Sequence, residues 1–166
     1  MEQKPTIFTI GYQGYSLSEL VNILKEQGID TLVDVRYDAY SKRPEFCKGR
    51  LRSAMQEAGI EYMHRPELGT PTQLRKKITD AGSGQEVFRL YFERISKVNY
   101  RYVEAVAELA SPRKLVLMCM EKEPERCHRK ILADFLSRKF RFEVVHLAPS
   151  RKAKANTEDL QLSFNL

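Results

Sequence analysis

Apolar and polar positions alternate along the chain in a way that predicts strands and helices in turn. Apolar runs typical of buried strands occupy residues 6–11, 29–36, 60–64, 115–120 and 142–147. Between these runs apolar residues recur at helical spacing, and no two strands are joined by a short hairpin. The pattern predicts an α/β fold, with one three-layer domain at residues 1–148 and a mostly parallel sheet of about five strands flanked by helices.

Local signals predict where several elements begin and end. Ser16 and Glu19 match a capping box at the start of the first helix. Pro124 suits the first position of the helix after the fourth strand, because its missing N–H would be unpaired there. Residues 65–84 contain two prolines and predict a long polar connection. Residues 149–166 begin with charged and small side chains and predict a flexible C-terminal tail.

Composition narrows the class of protein. No apolar run approaches the roughly 18 to 20 residues that a membrane span requires, and the first residues do not resemble a signal peptide. We therefore expect a cytoplasmic protein that does not contact a membrane and whose three cysteines are free thiols. The net charge of +6 favours an anionic partner such as phosphate, a nucleotide or nucleic acid. A basic surface without a partner explains the charge equally well.

Reactive side chains concentrate where the fourth strand meets the following helix. Glu121 follows the strand, and Cys127, His128 and Arg129 come at the start of the helix. Backbone N–H groups at a helix start attract anions and can lower the pKa of a thiol. Because Cys127 and His128 each head an apolar column of the helix, burial in the core is the competing interpretation.

A second polar group follows the second and third strands. Asp34 and Arg36 share one face of the second strand, His64 ends the third, and Arg43 belongs to a basic and aromatic loop. Open α/β sheets bind ligands at the carboxyl ends of their strands, which favours a common crevice for these residues. A purely structural Asp34–Arg36 ion pair is the alternative.

Three chemistries compete for this edge of the sheet. A phosphatase-like loop with Cys119 as nucleophile is disfavoured, because the loop holds three glutamates that repel phosphate and no glycine. A metal site could use Cys119, Cys127, His128 and His64, but these residues lack the short spacing of Cys and His ligands, so the sequence predicts no metal and no cofactor. Acid–base hydrolysis or group transfer on a phosphate-bearing ligand fits the residue types best. The predicted catalytic residues are His128, Glu121 and Asp34, and the predicted substrate-binding residues are Arg36, Arg43, His64, Cys127 and Arg129.

The last six residues, QLSFNL, resemble the short peptides by which bacterial replication and repair proteins dock on the DNA sliding clamp. The predicted partner-binding residues are Gln161, Leu162, Phe164 and Leu166, although Phe164 stands where a leucine is usual. The alternative function is therefore a non-catalytic adaptor in DNA replication or repair. A tail that folds back on its own domain is another explanation.

Five motifs together resemble an uncharacterised family, domain of unknown function 488. They are IG at 10–11, VDVR at 33–36, SKRP at 41–44, ELG at 67–69 and CMEKEPERCHR at 119–129. The resemblance covers residues 6–147 and implies an α/β fold with these motifs near one edge, but no established reaction. Tyr12 and Gln13 replace the His-Ser of many relatives, and Ala39 replaces a Pro, so no role for that His carries over.

Overall fold

The apolar runs of the sequence form a five-stranded sheet in the computed structural model, which describes residues 4–81 and 84–148, without the side chains of 78–81. The strands are β1 (Thr6–Gly11), β2 (Thr31–Asp34), β3 (Glu61–His64), β4 (Leu115–Cys119) and β5 (Glu143–His146). They lie in the order β3-β2-β4-β1-β5, and every neighbouring pair is parallel. The predicted α/β fold with a parallel sheet is confirmed.

Helices cover both faces of the sheet and give the fold three layers. They are α1 (Leu17–Glu26), α2 (Lys48–Glu57), α3 (Thr72–Ala81), α4 (Gly84–Glu93), α5 (Tyr100–Ala110) and α6 (His128–Phe140), and a π-helical segment, Arg94–Val98, joins α4 to α5. Leu20 of α1 and Leu51 of α2 pack in one apolar core with Val116 of β4. On the other face α4, α5 and α6 pack in a second core with Leu117 of the same strand. Burial of β4 between two cores explains its continuous apolar sequence.

The structure confirms one predicted helix start and corrects two other predictions. The backbone N–H of Ser16 donates to Glu19 Oε2 at 2.7 Å, and the Glu19 N–H donates to Ser16 Oγ at 3.1 Å, which completes the capping box. Pro124 does not open α6, because it begins a single 3-10 turn and Cys127 then caps the helix at His128. The expected long connection at 65–84 was wrong, since α3 occupies part of it. Few apolar positions mark this polar helix in the sequence.

Two further expectations concern the C-terminal tail and helices that could cross a membrane. The predicted tail at 149–166, with Gln161, Leu162, Phe164 and Leu166 of the clamp-like peptide, lies outside the described residues. Among the described helices, none has the length and apolar character needed to cross a membrane.

The order of the strands places a crevice at the carboxyl end of β4. The chain leaves β1 and β2 toward the face covered by α1 and α2, whereas it leaves β4 toward the face covered by α6. Because β4 lies between β1 and β2, its connection separates from those of both neighbours. Such a switch point is where open α/β sheets bind ligands.

Candidate active site

A small pocket occupies this switch point. Its volume is about 70 Å³, room for about two water molecules, so only a small group of a larger ligand can enter it. It is formed by the loops after β2 and β4, by Tyr12 after β1 and by the first residue of α6. The polar and reactive side chains that line it are Arg36, Asp38, Thr70, Arg75, Cys119, Glu121 and His128.

Two thiols and an imidazole meet at the floor of the pocket. The Sγ atoms of Cys119 and Cys127 and a ring nitrogen of His128 all lie within 4.8 Å of one another. The Cys119 thiol donates a hydrogen bond to Glu121 Oε2 at 3.1 Å. Nε2 of His128 lies 2.9 Å from the carbonyl oxygen of Val35. Since that oxygen can only accept, Nε2 carries the proton and Nδ1 is left for the cysteines.

The cluster distributes charge unevenly among its members. Burial opposes a charge on Cys127, but hydrogen bonds from Cys119 and His128 prevail and lower the pKa of its thiol well below the ordinary value. Burial also opposes a charge on His128, yet its contact with Cys127 raises the pKa of the imidazole. A hydrogen bond with Cys127, followed by burial, raises the pKa of Cys119. Burial, followed by the charge of Cys127, raises the pKa of Glu121.

Asp34 and Arg36 form a buried ion pair beneath one wall of the pocket. The carboxylate of Asp34 accepts four hydrogen bonds, from the Arg36 backbone N–H, from Nε and Nη2 of Arg36, and from the Tyr62 hydroxyl. Nη1 of Arg36 donates to the carbonyl of Phe46 at 2.9 Å, and Nε2 of His64 lies 2.8 Å from the carbonyl of Arg36. Burial works against the Arg36 charge, but its bonds to Asp34 raise its pKa. These contacts indicate that Asp34 and His64 hold Arg36 in position.

Arg129 fastens the loop that carries Glu121. Its guanidinium donates to the carbonyls of Glu121 and Lys122 and to the hydroxyl of Thr9, and its side chain is buried. At Gly11 the loop passes so close that a Cβ would lie 1.7 Å from the Glu121 carbonyl oxygen. Only glycine fits at this end of β1. These contacts indicate that Arg129 holds the loop after β4 in position.

A wider groove adjoins the pocket and contains Arg43. The groove has a volume of about 510 Å³ and shares Tyr12, Tyr40 and Met120 with the pocket. Lys42 and Arg43 line its other side. The Arg43 guanidinium pairs with Glu45 and donates to the carbonyl of Tyr15. The pocket and the groove thus lie side by side, and we refer to the two together as the crevice.

The structure brings together most, but not all, of the predicted site residues. Arg36, Glu121 and His128 line one pocket, with Cys127 directly behind His128. Asp34, His64 and Arg129 lie behind the walls, and Arg43 lines the groove. Their functional roles stay predictions. Sequence reasoning missed the lining residues Tyr12, Tyr40, Thr70 and Arg75, and it considered Cys119 without assigning it to the site. The strand end at Cys119 was a usable signal, whereas Arg75 belongs to the helix that the sequence did not reveal.

Comparison with known proteins gives one match. The model of the family described as domain of unknown function DUF488 matches residues 16–136. The chain belongs to the DUF488 family. No curated protein and no solved structure shows significant similarity to this DUF488 protein.

The motifs that carry the family resemblance converge on the crevice of this DUF488 protein. The IG motif places Gly11 against the loop of the CMEKEPERCHR motif. The VDVR motif supplies the Asp34–Arg36 pair. The ELG motif places Gly69 where a Cβ would lie 2.2 Å from the backbone nitrogen of Tyr37. Motifs far apart in the sequence thus build adjacent walls of one site.

Proposed function

We propose that this DUF488 protein is an enzyme that carries out hydrolysis or group transfer on a phosphate-bearing ligand, such as a nucleotide or a nucleic-acid end. The observation that supports this function most is that the crevice, made of two adjoining cavities, combines reactive side chains at its floor with basic and aromatic side chains at its mouth. Sites of this kind, in which polar groups converge at a sheet switch point, commonly bind small ligands.

The mouth of the crevice suits a nucleotide. The side chains of Tyr37 and Tyr40 are 38% and 72% exposed, so two aromatic rings at the crevice are accessible to a ligand. Bases stack on such rings, and Lys42 at the groove supplies positive charge for phosphate, whereas the charge of Arg43 is paired with Glu45. The groove therefore offers one surface for the base and another for the backbone.

The hydrogen bonds of the polar residues at the floor of the crevice support different proposed roles for them. Glu121 lines the pocket and its carboxyl group contacts the thiol of Cys119, so it is placed to exchange a proton with a ligand. His128 has Nε2 committed to Val35, and Asp34 has its oxygens committed to Arg36 and Tyr62. We therefore assign acid–base chemistry to Glu121, and positioning to Asp34.

The binding half of the proposal is tested with a fluorescein-labelled, 5′-phosphorylated single-stranded oligonucleotide. Fluorescence anisotropy should show binding that weakens about fivefold or more in Tyr40→Ala, because one stacking contact contributes about 1 to 3 kcal/mol. Lys42→Ala should also weaken binding relative to the wild type, and it should reduce the salt dependence of binding. Lys139→Ala, at the opposite end of α6, is the matched control and should bind as the wild type does. Equal binding by all four proteins would argue against the crevice.

The catalytic half of the proposal is tested by searching for a reaction product. The protein is incubated with nucleoside mono-, di- and triphosphates and with the same oligonucleotide, and products are sought by mass spectrometry. We expect a product with the wild type and none with Glu121→Gln, which keeps the shape of the side chain but not its acid–base function. A crevice that binds the oligonucleotide but releases no product from any of these ligands would contradict the enzymatic proposal.

A second candidate function rests on the sequence of the last six residues. The QLSFNL peptide offers apolar side chains, Leu162, Phe164 and Leu166, of the kind that fill a pocket on a partner. A synthetic peptide of residues 156–166 should then compete with a known clamp ligand for a bacterial sliding clamp. A peptide with both leucines replaced by alanine is the control, and absence of competition by the native peptide rules out docking.

A further inference from the structure

We propose that Cys119, Cys127 and His128 bind a divalent transition-metal ion of the Zn²⁺ class at the floor of the crevice, with one coordination position open toward the pocket. The proposal reverses the expectation of no metal, which relied on spacing in the sequence alone. It goes beyond the reaction class proposed above and does not depend on it, because it rests on the geometry of three side chains.

The distances within the cluster suit a tetrahedral ion. Zinc lies about 2.3 Å from sulfur and about 2.0 Å from nitrogen, so two ligand atoms of one ion are about 3.4 to 3.8 Å apart. The ligand atoms of Cys119, Cys127 and His128 already lie within 4.8 Å of one another. Small rotations of three side chains, which draw the atoms together by little more than about 1 Å, therefore complete the site.

The types of ligand atom select the metal. Two sulfurs and an imidazole nitrogen favour zinc and related transition metals, whereas magnesium and calcium prefer oxygen. Cys119, Cys127 and His128 are only 4%, 2% and 8% exposed, so water competes poorly for the ion. Binding of a metal ion would therefore explain why these three side chains are buried together, which apolar packing alone does not.

The surroundings hold the ligands in the orientation that a metal needs. Metal-binding histidines donate their second ring N–H to a carbonyl or carboxylate, and His128 does so to Val35 at 2.9 Å. The backbone N–H of Arg129 donates to Cys127 Sγ at 3.4 Å, which stabilises a thiolate. Tyr91 packs on the imidazole with ring centroids 5.0 Å apart. The ligands themselves come from a central strand and a helix start, both rigid parts of the fold.

The fourth coordination position faces the pocket. Cys119 and His128 line the pocket from one side, and Glu121 Oε2 lies beside the triplet at 3.1 Å from Cys119 Sγ. Catalytic zinc sites typically have three protein ligands, and a water or substrate takes the fourth position. Glu121 is then placed to exchange a proton with a group bound to the ion.

The test measures metal in the full chain, purified without a metal-binding tag. Elemental analysis should find about one zinc per chain in the wild type and in Cys47→Ser, whose thiol lies in the loop before α2. Cys127→Ser should lose at least about 100-fold in zinc affinity, since even the loss of an outer contact costs about 10- to 100-fold. Circular dichroism checks that each variant is folded.

A measurement on the wild type alone tests the proposal even if a variant fails to fold. After the metal is removed with a chelator, added Co²⁺ should give the thiolate-to-cobalt charge-transfer absorption and the strong visible bands of a tetrahedral site. Absence of these bands together with absence of zinc overturns the proposal, as does equal loss of metal in Cys47→Ser and Cys127→Ser. A metal-free protein that still binds the phosphorylated oligonucleotide would leave the proposed function standing.

Glu121→Gln tests the open position separately. We expect this variant to keep its zinc, because three ligands remain. If it loses zinc as Cys127→Ser does, Glu121 is the fourth ligand and the open position is overturned.

Discussion

Replacing Asp34 with asparagine should leave the Arg36 guanidinium buried without its counter-charge. Both side chains are at most 5% exposed, and three of the four hydrogen bonds that the Asp34 carboxylate accepts come from Arg36. Breaking a buried pair on one side costs about 3 to 5 kcal/mol. Because asparagine keeps one oxygen as an acceptor, we expect the lower end, about 3 kcal/mol, for Asp34→Asn.

Urea denaturation followed by circular dichroism measures this loss. In thermal denaturation followed by the same signal, the melting temperature should fall by about 6 to 12 °C for a domain of this size, and the protein should remain folded at room temperature. Glu86→Gln is the matched control, because Glu86 pairs with Arg89 on the surface, where the two side chains are 51% and 55% exposed. That variant should melt as the wild type does.

The double variant Asp34→Asn/Arg36→Met separates charge from packing. Removing the unpaired guanidinium should restore part of the lost stability, because an apolar side chain of similar length can be buried without a counter-charge. A loss of less than about 1 kcal/mol in Asp34→Asn would refute the view that this pair is fully desolvated. So would a double variant that is less stable than Asp34→Asn.

Three further substitutions test other contacts around the crevice, each by the same denaturation assay. Gly11→Ala should destabilise by about 3 kcal/mol or more, since its Cβ would overlap the Glu121 carbonyl, and a neutral effect would refute the close approach. Tyr91→Phe should cost about 1 to 2 kcal/mol, because it removes the hydroxyl donor to the buried carbonyl of Leu68, and no loss would contradict that bond. Arg129→Lys should cost about 3 kcal/mol, because lysine cannot make all three contacts; stability equal to the wild type would show that they contribute little.

Much of the fold is predictable from the sequence because its signals are local. The continuous apolar run of β4 and the Ser16–Glu19 capping box are visible over a few residues and appear in the structure as predicted. By contrast, α3 has few apolar positions, so neither its helical period nor the place of Arg75 at the pocket could be derived from the sequence.

The candidate site was only partly accessible to sequence reasoning, because its geometry depends on contacts between distant segments. Position at strand ends, or for His128 at the start of the following helix, was enough to group Arg36, Glu121 and His128. The pairing of the two thiols was considered but not predicted, since Cys119 and Cys127 are separated by a loop and a 3-10 turn rather than by a short metal-binding spacing. Likewise, the commitment of Arg129 to loop carbonyls is set by the fold and not by its helix position.

The central claim is that the crevice at the carboxyl end of β4 is where this DUF488 protein binds its ligand. NMR of the 19.3 kDa chain, titrated with adenosine 5′-monophosphate, tests it most directly. We predict that amide shifts concentrate in the loops after β1, β2 and β4, at residues 12–14, 36–43 and 119–121, and that they disappear in Tyr40→Ala. Shifts concentrated elsewhere on the molecule, or no shifts at all, would contradict the account.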